Sequence, residues 1–525
     1  MRRLIIVLAA LAIMIIGFVA SLAMLADQGR LKELLSAHVE NQLGRQLQID
    51  GAVSLSFFPR LRIQAGDVRL SGSEEFQGLD LLASDEISAE IRLLPLILGR
   101  VEAAEVAMRG ASLNLLFDED GGHNFSGLLS RRGRDGAPGI LVDGPVRLEN
   151  LALQISHLGT ESVQRLSVER MELDGLAFDR ALSLVFEGAI GIPAVFEDVT
   201  VTGVLFVPGA TGRFRLSDMI LIGRRAGAEL PFRLSGELDF SAQPPLEMKL
   251  SEGQLRVGDQ QLQVAGRYEA RTRPFFGLDV SGDVLNMAAV SGAFGRHKAQ
   301  GWPQILAGWT AAHDYELGIH LDRLELGMWP LTEAAIRIDS AAGLARIEQA
   351  RAGLPGGTIE VLGDLVVDSE ASLLSAQARI EIDQLSSTLA SAGIPLRADG
   401  VGQLLIEPAD GSQPGALVQG SLRFFDGWVR ALADLRVALG AAADPGYDAL
   451  EGRFVAYPGR IEFPDLRVFH AGEELAFQRF SVAASRDLSG VVVWRDGEPE
   501  EKQMMLGGTL AQPSYSLSVA QPQEQ

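Results

Sequence analysis

The sequence predicts a mainly β chain, in which an N-terminal transmembrane helix is followed by an elongated, curled antiparallel sheet with a few short helices. Three observations support this fold class: an uncharged apolar run near the N-terminus, long stretches in which apolar and polar residues alternate, and a glycine that recurs at the centre of apolar segments. The chain has 525 residues, whereas a single hydrophobic core stops growing at roughly 250–300 residues. The length therefore fits an extended structure built by repetition.

The apolar run extends from Leu4 to Leu25 and follows Arg2 and Arg3. As a helix, a run of this length spans a hydrocarbon core of about 30 Å, and the arginines before it predict a cytoplasmic N-terminus. The alternative is a cleaved signal peptide with a cleavage site at residues 21–23, "SLA". Under both interpretations the bulk of the chain is exported.

An amphipathic helix is predicted over residues 27–44, directly after the apolar run. Apolar residues recur at helical spacing on one face, and Gly44 is suited to cap the C-terminus. The apolar residues of this face are Leu31, Leu34, Leu35, Val39 and Leu43.

After this helix, the hydrophobic period changes from helical spacing to two. Such alternation is typical of an antiparallel sheet with one apolar face and one wet face. The clearest segments are 86–93, 232–240 and 315–322. Together with a Phe-Phe-Pro segment at 57–59, they supply the candidate residues for an apolar lining, which are Phe57, Phe58, Ile87, Ile91, Leu93, Phe232, Leu234, Leu238, Phe240, Leu317 and Ile319.

A short unit, apolar-x-Gly-x-apolar, recurs within these alternating segments. Glycines inside strands mark bends, bulges or close approaches, so a glycine at the centre of many strands would let a sheet curl. The alternative is that these glycines only relieve local twist between packed layers. The predicted strand-bending glycines are Gly188, Gly203, Gly236, Gly266, Gly282, Gly363, Gly420 and Gly452.

Few breaks interrupt the strand pattern. Residues 130–139, "SRRGRDGAPG", and 409–415 are predicted loops, whereas 286–295 and 383–393 are predicted short helices. We therefore divide the chain into an anchor (1–25), an N-terminal region (26–130), a repeated middle region (140–380), a C-terminal region (381–520) and a disordered tail (521–525).

The residues expected of an enzyme are not found in any recognisable arrangement. The chain has no cysteine, and its seven histidines do not fall at metal-ligand spacing. Asp118, Glu119 and Asp120 form an acidic cluster, but their order does not match an EF-hand, and a hairpin loop is the preferred interpretation. We expect no catalytic residues, no metal and no cofactor. A net charge of −22 disfavours binding to nucleic acid and broad adhesion to anionic headgroups.

Two parts of the chain resemble the bacterial AsmA family. At residues 43–125 the resemblance rests on Gly44-Arg45, Gly51, Phe58-Pro59, Leu94-Pro95-Leu96, Gly99, Gly110 and Asn124. Phe125 stands where the family usually has Trp, which is a conservative change. The segments "LEGRFVAYPGRIEFPDLRV" and "LGGTLAQPSYSLSV" are similar to the family's closing region, whereas residues 140–380 share only the alternation.

The resemblance implies a protein of the Gram-negative inner membrane, single-pass, with its bulk in the periplasm. Members of this family are related to bridge-like lipid-transfer proteins, whose curled sheets form an apolar groove, and they are implicated in phospholipid supply to the outer membrane. The implied partners are phospholipid acyl chains in the groove, the inner membrane through Leu4 to Leu25, and envelope proteins. Residues 57–59 would then form the groove's entrance or, alternatively, a plug at one end.

Two functions remain open from the sequence. The first is a non-enzymatic carrier or conduit for phospholipid that supports outer-membrane assembly. The second is a structural or regulatory periplasmic scaffold, whose apolar faces close on each other and whose acidic surface contacts other envelope proteins. An envelope hydrolase would need a site that the sequence does not contain in recognisable form.

Overall fold

The structure of the chain is a computed structural model. The described residues are 28–43, 45–56, 60–72, 76, 80–92, 102–118, 124, 141–142, 144–157, 162–175, 180–190, 196–206, 208, 213–228, 230–241, 247–271, 273–294, 310, 313–326, 329–367, 372–374, 376–409, 415–495 and 502–517.

The chain divides into two compact units. Unit 1 comprises Met1–Gly277 and Ser291–Arg296, and unit 2 comprises Leu278–Val290 and His297–Gln525. The described helices are α1 (Gln28–Leu43), α2 (Met287–Phe294), α3 (Leu385–Ser391) and α4 (Arg430–Ala438). Both α2 and strand β15 (Phe275–Asn286) contain residues of both units.

Unit 1 is built from strands that follow one another in a meander. Its strands are β1 (Leu47–Ile49), β2 (Val53–Ser56), β3 (Leu61–Ser71), β4 (Asp80–Ile91), β5 (Glu102–Phe117), β6 (Leu141–Val142), β7 (Val146–His157), β8 (Ser162–Leu173), β9 (Ala181–Ile190), β10 (Phe196–Phe206), β11 (Arg213–Arg225), β12 (Pro231–Ser241), β13 (Glu247–Val257) and β14 (Gln260–Glu269). Strands β1 and β2 both pair with β3, and the other described pairings are antiparallel, except that β6 and β7 lie parallel to β5.

The parallel pair is a departure from the predicted antiparallel meander. Parallel neighbours need a connection of a dozen or more residues between them. The chain supplies it between β5 and β7, at residues 118–145, which include the predicted loop at 130–139.

Unit 2 repeats the antiparallel meander. Its strands are β16 (Asp314–Leu326), β17 (Trp329–Ala341), β18 (Leu344–Leu354), β19 (Gly357–Val367), β20 (Ser372–Leu374), β21 (Gln377–Ile382), β22 (Ala398–Pro408), β23 (Val418–Val429), β24 (Gly446–Tyr457), β25 (Arg460–His470), β26 (Glu473–Ala483), β27 (Leu488–Arg495), β28 (Lys502–Gly508) and β29 (Pro513–Leu517). Strands β20 and β21 share β19 as their neighbour. The prediction of a mainly β chain with few helices is thus confirmed.

Many strands contain a residue with positive φ, which in most cases lies at a register shift, or bulge. A bulge places two residues opposite one on the neighbouring strand and bends the strand, and Asp and Asn adopt positive φ more readily than most residues. The residues with positive φ inside strands, other than glycine, are Asp67, Asn150, Asp198, Asp218, Glu252, Glu333, Asp426 and Arg479. The strands are therefore bent at repeated positions along each unit.

The predicted amphipathic helix is present as α1. Its Leu35 packs against Ile49 and Val53, and the Ser36 hydroxyl donates to the Leu47 carbonyl at 2.7 Å. The predicted short helices correspond to α2 and α3, whereas α4 was not predicted. The predicted anchor, from Leu4 to Leu25, lies outside the described residues. Among the helices that the structure does describe, none combines the length and the apolar character needed to cross a membrane.

Candidate functional site

A continuous row of apolar side chains crosses unit 1. Each strand contributes one residue, and each residue pairs in register with the next. From β2 to β14, omitting the short β6, the row is Val53, Ala65, Ile87, Met108, Leu148, Met171, Phe186, Val201, Leu221, Leu234, Leu255 and Leu262. We call these residues the unit 1 row.

Most of the unit 1 row keeps partial contact with solvent. Val53, Ala65 and Leu262 are buried, but the other members, from Ile87 to Leu255, are all half-buried. Neighbouring rows are apolar as well: Leu205, Leu216, Leu238 and Leu250 pair in register across β10 to β13. Leu216 is itself buried, and Met171, Val201 and Leu234 of the unit 1 row pack against its cluster. This face of unit 1 is thus a broad apolar surface that is only partly buried.

The opposite face of unit 1 carries alternating charges. Successive side chains of a strand point to opposite faces, so Arg109, next to Met108, faces away from the unit 1 row. It lies in a cross-strand series with Glu86, Glu149, Arg170 and Glu187. The Arg109 guanidinium lies 3.0 Å from Glu149 and 3.7 Å from Glu86. The sheet therefore has one apolar and one wet face, as the alternation predicts.

Glu90 is the most buried carboxylate of this charged face, at 7% exposure. It accepts hydrogen bonds from the guanidinium groups of Arg62 and, at 2.9 Å, Arg60. These hydrogen bonds hold the pKa of Glu90 below its usual value. A carboxyl whose pKa is lowered by folding stabilises the folded state above its unfolded pKa, and this contribution disappears as the pH falls through the folded pKa.

We expect Glu90→Gln to lower the urea midpoint of unfolding at pH 7, because the amide keeps the shape but loses the charge. The difference from the wild type should start to shrink as the pH falls below the ordinary glutamate pKa of about 4.3, and it should disappear as the pH passes through the lowered pKa of folded Glu90, where the wild-type carboxyl itself becomes protonated. Far-UV circular dichroism in urea at several pH values measures it. A difference that stays constant down to acid pH would contradict the assigned pKa shift.

Unit 2 has a comparable row, but only its middle part, between the buried Ala352 and the buried Leu466, is half-buried. The row is Ala352, Ile359, Ile380, Leu404, Leu422, Gly452, Leu466, Phe477, Val492 and Met504. We call these residues the unit 2 row. From Ile359 to Gly452 its members are half-buried, whereas from Leu466 onwards they are buried.

Helix α4 covers the buried part of the unit 2 row. Leu432, Leu435 and Leu439 belong to the same buried cluster as Leu466 and Phe477. The helix is fixed by a hydrogen bond of 2.9 Å from the Tyr515 hydroxyl to the Ala431 carbonyl. Burial raises the pKa of Tyr515 to about 12, so this hydroxyl remains a donor at any physiological pH. The apolar face of β25 to β28 is a closed core.

The predicted lining residues fall into three groups. Ile87 and Leu234 belong to the unit 1 row, and Leu238 lies in the row beside it. Phe232, Phe240, Ile91, Leu317 and Ile319 are half-buried in other rows of the two units. Phe57, Phe58 and Leu93 lie outside the described residues.

The predicted glycines also occupy different settings. Gly188, Gly203, Gly236, Gly266 and Gly363 lie at or directly beside register shifts. At Gly188 a Cβ atom would collide with the Ser167 carbonyl oxygen. Gly420 pairs in register with Phe454, and Gly452 pairs in register with Leu422. A Cβ atom on Gly420 would come within 2.6 Å of the Phe454 ring. Gly282 lies in β15.

Strands β5 to β11 contribute row residues that were not among the predicted ones. Met108, Leu148, Met171, Phe186 and Val201 all lie in this part of unit 1. The signal for them was the same alternation, but bulges interrupt it. Leu148 and Leu151 pack in one cluster although they are three positions apart, and Asn150, with a positive φ, lies between them.

The polar groups do not converge on a metal site in the described part of the chain, where no group of three potential ligands lies together. His470 lies between two carboxylates, with Nε2 3.1 Å from Asp444 and Nδ1 3.3 Å from Asp448. The Gly446 amide and His470 hold the pKa of Asp444 below its usual value. These contacts join the end of β25 to β24 and to the loop before it. Of the predicted acidic cluster, only Asp118 is described.

Two of the motif residues quoted above, Arg45 and Asn124, contact each other. Asn124 is fully buried, and its carbonyl accepts a hydrogen bond of 3.3 Å from the Arg45 guanidinium. The Asn124 side chain accepts from the Leu116 amide at 3.0 Å and donates to the Asn114 carbonyl at 2.7 Å. Arg45 and Asn124 therefore join the start of the sheet to the end of β5.

Comparisons with known proteins agree with this resemblance. Residues 1–164 match the model of the AsmA family. A stretch of 115 residues is 26% identical to Protein AsmA of Escherichia coli strain K12, which covers 22% of this chain and 18% of that relative. The match therefore spans less than a fifth of the relative's length. No solved structure matches the chain.

Proposed function

We propose that this chain, whose residues 1–164 match the model of the AsmA family, is a non-enzymatic envelope protein that binds phospholipid acyl chains on its apolar sheet faces. In this role it carries phospholipid between the inner and outer membranes and so supports outer-membrane assembly. The chain would be held in the inner membrane by Leu4 to Leu25, with a cytoplasmic N-terminus and its bulk in the periplasm.

The unit 1 row is the observation that carries this proposal. Twelve strands at a spacing of about 4.8 Å give the row a length of roughly 50 Å. One leaflet of a bilayer's hydrocarbon core is about 15 Å thick, so the row is long enough for several acyl chains one after another. Each acyl methylene removed from water contributes about 0.8 kcal/mol of favourable free energy. An uninterrupted apolar lining therefore keeps the acyl chain out of water as the lipid moves along the row.

The half-buried state of the row supports binding rather than packing. An apolar face that is only a structural core would be covered, as the face of β25 to β28 is covered by α4. The charged residues on the opposite face, such as Arg109 and Glu149, keep that side in water. Phe57 and Phe58 remain the predicted entrance to the lining.

The direct test is to measure the lipid that the protein carries. We expect the full-length chain, purified in a mild detergent and extracted with organic solvent, to release several phospholipids per chain in mass spectrometry. A protein of the same host and detergent with no apolar sheet face controls for lipid carried by the detergent micelle. A lipid content no higher than that control, from folded protein, would contradict the proposal.

The alternative function is that of a scaffold that contacts envelope proteins without carrying lipid. The closed core around Leu435 and Leu475 favours it for the C-terminal part of unit 2, because that face is filled by protein side chains. Lipid-free purified protein together with a stoichiometric protein partner would favour the scaffold for the whole chain.

A further inference from the structure

A cavity of about 510 Å³ lies in unit 2, over strands β21 to β25. Its lining includes Gln403, Ser421, Arg423 and Arg453. These residues alternate along their strands with Leu404, Leu422 and Gly452 of the unit 2 row, so their side chains point to the other face of the sheet. Leu404, Leu422 and Gly452 of the unit 2 row also contribute to the lining, but the charged side chains around the cavity lie on the wet face of the sheet.

The cavity is rich in arginine although the chain as a whole is acidic. Four arginines line it, Arg379, Arg423, Arg453 and Arg467, against two carboxylates, Glu451 and Asp465. Each carboxylate already has a partner: Arg423 lies 3.1 Å from Glu451, and Arg467 lies 3.0 Å from Asp465.

The other two arginines of the cavity have no such carboxylate partner among the described residues. Within the described part of the chain, Arg379 and Arg453 form no ion pair or hydrogen bond of their side chains. They lie at the two ends of one cross-strand series, with Leu405 and Ser421 between them. At the usual strand spacing their backbones are about 14 Å apart, so both side chains border the same cavity.

We propose that this cavity binds a phosphate-bearing anion between Arg379 and Arg453. The planar guanidinium group presents paired N–H donors that match phosphate oxygens, and it remains charged at all relevant pH values. The Ser421 hydroxyl adds a donor between the two arginines. Glu360 lies directly opposite Arg379 on the neighbouring strand and reduces the local positive charge, whereas acidic groups beyond about 8–10 Å are largely screened at physiological salt.

The same face also suits an anion that carries an apolar group. Val401 and Phe425 pair in register next to Gln403 and Arg423, and they are 53% and 43% exposed. The phosphate group could therefore belong to a lipid headgroup or to a free phosphate, and the two sources differ in whether they use Val401 and Phe425.

The test compares an arginine variant with a matched control in the full-length chain, purified in a nonionic detergent. We expect the double variant Arg379→Gln/Arg453→Gln to bind inorganic phosphate and dihexanoylphosphatidylglycerol about tenfold more weakly than the wild type in isothermal titration. Arg337→Gln is the control, because Arg337 is an exposed strand arginine of unit 2 outside the cavity lining, and it should bind as the wild type does.

A second variant identifies the source of the phosphate. If Val401→Ser/Phe425→Ser weakens binding of the short-chain lipid but not of inorganic phosphate, the ligand is a lipid headgroup. If it changes neither, the ligand is a free phosphate. Equal affinities in the arginine double variant and the Arg337→Gln control, or no binding of either probe to the wild type, would overturn the proposal. These outcomes do not depend on the lipid content expected from the unit 1 row.

Discussion

Leu234→Glu is expected to reduce the phospholipid bound to the purified protein by about tenfold or more. Leu234 is paired with Leu221 on one side and Leu255 on the other, so the substitution places a carboxylate in the middle of the unit 1 row. Burying an unpaired carboxylate against acyl chains costs several kcal/mol, and each 1.4 kcal/mol weakens binding about tenfold. Lipid should therefore be excluded from this part of the row.

The matched control is Ser235→Glu, which adds the same charge at the next position. Adjacent strand residues point to opposite faces, and Ser235 is paired with Ile220 and Gln254 rather than with row residues. We expect this variant to keep the lipid content of the wild type. Both variants should show the circular dichroism of the wild type, because Leu234 is only half-buried. Equal lipid loss in the two folded variants would show that charge alone, rather than the row, controls binding.

The sequence predicts the two faces of the sheet well wherever a strand is regular. In β4 and β12 the alternation correctly places Ile87 and Leu234 on one apolar face. It fails across bulges, because one extra residue moves the remainder of the strand to the opposite phase. It also fails where a residue with positive φ interrupts the alternation: Asn150 lies between Leu148 and Leu151, which pack in one cluster, and no local signal distinguishes such an Asn from one in a turn.

Which strands pair, and which element covers an apolar sheet face, are harder to predict than which residues share a face. Strand pairing and coverage are both determined by contacts between residues that are distant in the sequence. The alternation in β5 and β7 does not indicate that these two strands pair in parallel. The same alternation occurs in the half-buried part of unit 2 and in its closed part. Helix α4 covers the closed part, and its position is fixed by groups that are distant in the sequence, such as Tyr515.

Leu475→Ala is expected to destabilise unit 2 by about 2–5 kcal/mol, the usual range for deleting a buried leucine side chain. Leu475 is 1% exposed and pairs in register with Val468 and Trp494. The smaller side chain would leave a cavity that the surrounding strands and α4 cannot fill without moving. All five tryptophans of the chain, Trp302, Trp309, Trp329, Trp428 and Trp494, belong to unit 2. Tryptophan fluorescence in guanidinium chloride therefore follows the unfolding of this unit alone.

Met505→Ala is the matched control for this cavity, because Met505 lies in the neighbouring sheet region but is 55% exposed. We expect it to change stability by no more than about 0.5 kcal/mol. Under the proposed function, the closed core is filled by protein side chains and holds no lipid. Folded Leu475→Ala should therefore retain the phospholipid content of the wild type, in contrast to Leu234→Glu. A variant that stays folded but loses its lipid would mean that the face beneath α4 opens to acyl chains, and that the helix covers a binding surface rather than a permanent core.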